Sequence, residues 1–68
     1  MAQRRFVKAL SYYCGMIPKW EHPQPDRVFV TEDRDRLIYE YDKQGNVCRT
    51  FNKVYLLEIR YAQDNGNK

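Results

Sequence analysis

Three side chains in this 68-residue chain have the chemistry of a nucleophile, a base or a soft metal ligand: Cys14, His22 and Cys48. A cysteine nucleophile needs a base within hydrogen-bond reach and a third group to orient that base. His22 stands before Pro23 in a polar run and Cys14 falls among apolar neighbours, so nothing in the pattern demands such an arrangement. Structural zinc usually takes four ligands in close pairs, and these three residues show no C-x-x-C or H-x-x-x-H spacing. Gly15, Gly45 and Gly66 are isolated from one another, which rules out a glycine-rich phosphate loop. The sequence therefore predicts a chain that is not an enzyme, with no metal and no cofactor.

A stronger signal lies near the start. Arg4, Arg5 and Lys8 form a basic group, and the first twenty residues contain no acid. On a helix, Arg4 and Lys8 would repel by about 0.2–0.5 kcal/mol. An anionic partner would relieve that repulsion, although a solvated face explains three charges equally well. An acidic protein surface is one such partner, because Arg, Tyr and Trp are enriched in interface hot spots. Nucleic acid is the other, with Tyr12 or Trp20 stacking on a base. The expected partner-binding residues are Arg4, Arg5, Lys8 and Tyr12, with Trp20 and Tyr61 as aromatic anchors.

The elements that must hold these residues follow from periodicity. From Arg4 to Cys14, a period near 3.6 gathers Phe6, Val7, Leu10, Tyr13 and Cys14 on one arc, with Arg4, Arg5, Lys8, Ser11 and Tyr12 opposite. Gly15 then suits a left-handed helix cap and Pro18 a stop. That spacing predicts an N-terminal helix, with a strand as the alternative. All three prolines lie in "PKWEHPQP", which reads as an extended connector. "RVFVTED" and "RLIYEYD" read as strands joined around Asp33 to Asp35. "DKQG" places Asp42 and Gly45 where a type I turn with a left-handed glycine closes a hairpin. With that loop, Tyr41 faces Val47, Tyr39 faces Arg49 and Leu37 faces Phe51, and this set is the expected core face.

"FNKVYLLEIRY" is the most strand-like stretch, and a tight turn at Asn52 and Lys53 would make it the fourth strand. Both of its faces carry apolar residues. One helix covers only one face of a sheet, so the other keeps a surplus that a connector, a second copy or a partner must cover. The expected fold is thus α+β: an N-terminal helix, a proline-rich connector and a four-stranded antiparallel meander. A small all-β partial barrel, with residues 4–14 as its first strand, is the alternative.

The whole chain is expected to form one domain with a frayed tail at residues 62–68. Hydrophobic residues at 43% and aromatics at 15% support a folded globule, and the net charge is +3. No apolar run approaches a membrane span, so the expectation is a soluble, cytoplasmic protein with reduced, buried cysteines and no membrane partner. Functionally it reads as a small protein-binding regulator or inhibitor that occupies a partner's surface. Phage and mobile-element inhibitors share this size, an analogy of length alone. A basic nucleic-acid-binding protein is the second reading, and a homodimer is compatible with either.

Overall fold

The computed structural model describes residues 3–62. The expected frayed tail lies, from residue 63 onward, outside the described residues. Six antiparallel strands make up the fold: β1 (Arg4–Cys14), β2 (Ile17–Glu21), β3 (Val28–Glu32), β4 (Leu37–Tyr41), β5 (Val47–Asn52) and β6 (Glu58–Tyr61). A single 3₁₀ turn at Lys53–Tyr55 is the only helical element among the described residues. The structure overturns the α+β expectation, and the all-β partial barrel is the fold that fits.

The physical reason lies in β1. Val7 pairs with Tyr61 but Ala9 with Arg60, so Lys8 is an extra residue, a bulge that reverses which side chains point inward. Before the bulge the odd residues Arg5 and Val7 face the core side; after it the even residues Leu10 and Tyr12 do. The buried pair Val7 and Leu10 are therefore three apart, the spacing of a helix, although the backbone is extended. Phe6, Tyr13 and Cys14, expected on the buried arc, are exposed. Partners on both edges of β1 supply the hydrogen bonds that a helix would have made internally.

β1 is the hub. Leu10 and Ser11 pair with both β2 and β6, and Val7 pairs with both β3 and β6. Hence β2 and β3 lie end to end along one edge of β1 and β6 runs along the other. β4 then joins β3, and β5 joins β4. The proline run is correspondingly more than a connector. Pro18 sits inside β2 opposite Tyr13, and β2 pairs with β1 alone, where a missing N–H is tolerated. Gly15 has φ +70° and Cys14 faces Ile17, which makes Gly15 and Met16 a two-residue hairpin loop rather than a helix cap.

The Asp42 turn forms as its residues imply. Gly45 has φ +87° and donates to the Asp42 carbonyl, and Asp42 Oδ1 accepts the N–H groups of Gln44 and Asn46. Tyr41 faces Val47, as the turn requires, but the register then slips by one, with Glu40 opposite Arg49 and Ile38 opposite Phe51. Cys48 is the bulged residue. Ile38 and Glu40 face the core, while Leu37, Tyr39 and Tyr41, the expected core face, point to the opposite side.

"FNKVYLLEIRY" is likewise divided. Its first strand ends at Asn52, whose side chain caps the 3₁₀ turn by accepting from the Val54 N–H. The Leu57 N–H then donates to the Ser11 carbonyl at 2.8 Å, and β6 pairs with β1 instead of extending the meander. Val7, Leu10, Phe29 and Ile38 form the buried core, with Tyr12, Phe51, Leu56, Ile59 and Tyr61 packed against it. Burial of each core side chain stabilises the fold by about 1.5–3 kcal/mol.

Leu10→Ala is expected to cost about 2–5 kcal/mol in urea unfolding, because it opens a cavity in a fully packed site. Phe6→Ala, at a position 52% exposed, is expected to cost about 1 kcal/mol or less. Comparable losses at the two positions would restore the helical arc that placed them together.

Candidate functional site

The sheet curls around a buried ionic cluster. Glu40 is 0% exposed, and Arg49 reaches it with two parallel bonds, Nε to Oε1 at 2.7 Å and Nη2 to Oε2 at 3.0 Å. The same guanidinium donates from Nη1 to Glu21 Oε1 at 3.0 Å and from Nη2 to the His22 carbonyl at 3.2 Å. Tyr12 donates its hydroxyl to Glu21 Oε2 at 2.7 Å, and the Gln24 N–H donates to Glu40 Oε2 at 3.0 Å. β2 and β5 are not neighbours in the sheet, so Arg49 can touch Glu21 only because the sheet bends toward this side. The cluster has the geometry of a structural clamp.

Its electrostatics agree with that role. Arg49 holds the Glu40 carboxyl below its usual range despite burial. Glu21 is lowered chiefly by the Tyr12 hydroxyl and further by Arg49. Tyr12 is raised, because its phenol donates to Glu21 and ionisation would end that bond. Every charge has a partner and no reacting group is left over. Cys14 and Cys48 are exposed free thiols rather than buried hydrophobes. Cys14 faces Ile17 and His22 follows Glu21 at the far end of the same hairpin, so those two do not meet. Among the described residues, no group of three metal-ligating side chains converges.

The convex face carries the site. Val28, Val30, Tyr39 and Tyr41 are cross-strand partners on β3 and β4 and floor a solvent-open groove of about 540 Å³. The two tyrosine rings lie 6.1 Å apart, tilted by 43°. Glu32 and Asp35 flank one end with Arg4, and Asp42 flanks the other with Lys43. Asp42 sits below the usual carboxylate range because backbone N–H groups, Asn46 first, hold its charged form. The Tyr39 phenol is raised by partial desolvation and by the nearby Asp35 charge.

The expected binding residues do not converge. Arg4 is exposed at the groove, whereas Arg5 points to the other face, with its guanidinium 3.7 Å from the Tyr61 ring centroid and 3.6 Å from Asp33. Lys8 is exposed at the bulge of β1. Tyr12 is bound to Glu21, and Tyr61 packs on the core beneath Arg5. Trp20 lies on the convex side of β2, with the Arg60 guanidinium 4.6 Å from its ring centroid. Sequence reasoning missed Tyr39 and Tyr41 because it assigned them to the core. Alternation along "LIYEY" grouped them with Leu37, and only the buried Glu40 reverses that choice.

Arg49→Met is expected to lower stability by about 3–5 kcal/mol, since it strands a buried carboxylate. Glu40 and Glu21 have native pKa values below their unfolded ones, so the unfolded state binds protons first as pH falls. Their stabilisation is complete above the ordinary carboxylate range near about 4.3 and is lost through and below it. Tyr12 has the opposite sign: its contribution is complete below about pH 10 and is lost as pH rises through its raised value. Urea midpoints measured across pH should fall at both ends, and the acid limb should shrink in Glu40→Gln.

No protein family matches this chain, and neither does any curated protein or solved structure.

Proposed function

We propose that this chain is a non-enzymatic protein-binding module, a small cytoplasmic regulator or inhibitor that works by occupying a partner's surface through the convex groove. One observation carries the reading: half-buried Tyr39 and Tyr41, with exposed Val28 and buried Val30 beside them, line an open groove on the face of the sheet opposite Phe29 and Ile38. An aromatic floor within a charged rim is the anatomy of an interface hot spot. Two tyrosines contribute large, stiff contact areas at low entropic cost.

The rim argues against nucleic acid at this site. Glu32, Asp35 and Asp42 outnumber Arg4 and Lys43, and surplus carboxylates repel phosphates. Arg5 is already paired with Asp33, and Tyr12 and Tyr61 are engaged with the chain itself. Both thiols are free, as a reducing compartment would keep them. No helix among the described residues is long and apolar enough to cross a membrane.

The test is capture from a host lysate on the immobilised 68-residue chain, with and without nuclease, beside a Tyr39→Ala/Tyr41→Ala variant and an exposed-site control, Tyr13→Ala. A stoichiometric protein should survive nuclease, bind the control normally and bind the double variant at least about ten-fold more weakly, as loss of a hot spot implies. Retained nucleic acid, with all captured protein lost on digestion, would overturn the proposal.

A further inference from the structure

The groove's position within the sheet restricts what can lie in it. Its floor strands have no free edge, since β3 is bonded to β1 and β4, and β4 to β3 and β5. A ligand on this face therefore cannot add as another strand, and its own backbone groups must stay solvated. The polyproline II conformation meets that demand, having no internal hydrogen bonds and few N–H groups to satisfy. Tyrosine rings provide the flat apolar surface on which proline rings pack.

Charge supplies the second restriction. Arg4 stands opposite Glu32 across β1 and β3, and Lys43 lies 3.7 Å from Asp26 at the surface. Asp35 and Asp42 remain at opposite ends of the tyrosine floor, each using Oδ1 to hold its own turn by accepting backbone N–H groups. They are seven positions apart, at most about 23 Å of extended chain. A polyproline II segment of seven residues spans about 22 Å. The chain's own last six residues, 63–68, contain no apolar side chain and do not suit the floor.

Building on the protein-binding reading, the geometry points to a narrower ligand class: an extended, proline-rich segment of a partner protein, carrying a basic residue at each end. The segment lies across Tyr39 and Tyr41, and its cations meet Asp35 and Asp42. The Tyr41 hydroxyl is a donor for one of the segment's solvated carbonyls, while the Tyr39 phenol is engaged with Asp35.

The probe is a synthetic peptide, acetyl-Arg-Pro-Leu-Pro-Pro-Leu-Pro-Arg-amide, titrated into the ¹⁵N-labelled full chain, with a second peptide bearing Glu at both ends. Saturable shifts should cluster at residues 28–30 and 39–42, and the Glu-flanked peptide should bind at least ten-fold more weakly. Asp35→Asn/Asp42→Asn keeps the turn-holding oxygens and removes the charge, so it should erase the preference between peptides without unfolding the protein. Tyr41→Ala should abolish the shifts. Equal binding of the two peptides, shifts elsewhere on the surface, or no saturation at millimolar peptide each overturns the inference. Groove-dependent capture of a lysate protein together with peptide failure would overturn this ligand class alone; failure of both would overturn the protein-binding reading as well.

Discussion

The buried pairing of Arg49 with Glu40 is the constraint around which the rest of the structure is arranged. A carboxylate with no exposed surface requires a partner that neutralises it and fills its hydrogen-bonding capacity. Arg49 does so with two bonds, and the Gln24 N–H adds a third. Because the guanidinium also holds Glu21, one side chain ties β5 to β4 and, across the open side, to β2. Phe29 and Phe51 lie beside it, with ring centroids 5.4 Å apart in an edge-on arrangement. The curl of the sheet and the packing of its core thus share one anchoring point.

From that anchor follows the division of the two faces. Turning Glu40 inward turns Ile38 inward with it, and it must turn Leu37, Tyr39 and Tyr41 outward, since adjacent residues of a strand point oppositely. A chain this short has few side chains for a core, and it spends one inward position on a charge. Two tyrosines are left on the convex surface in exchange. The candidate groove is in this sense the reverse side of the ionic clamp, and the groove's shape depends on the clamp's register.

The same economy shapes the rest of the surface. Arg5 covers Tyr61 and Arg60 covers Trp20, so Arg5, Tyr61 and Trp20, three of the expected binding residues, are engaged within the chain. The half-buried tyrosine floor, with carboxylates at both ends, is not covered in that way. β3 and β4, bonded along both edges, give that floor a rigid support.

Much of the local structure was legible in the residues. The strands around "VFV" and "LIYEY" and the Asp42–Gly45 turn follow from alternation and turn chemistry. What stayed hidden depends on single-residue irregularities. The bulge at Lys8 disguised an eleven-residue strand as a helix, and the one at Cys48 moved Arg49 opposite Glu40. Neither bulge carries a glycine to announce it, and each reverses the inward set beyond it. The destination of β6 was equally invisible, because pairing with β1 joins residues about fifty apart. By itself the sequence determined the strands around "VFV" and "LIYEY" and the turn at Asp42–Gly45, since those depend on neighbouring residues. Only the tertiary structure decided which side chains face the core and which the opposite side, because that choice was made by long-range pairing around one buried charge.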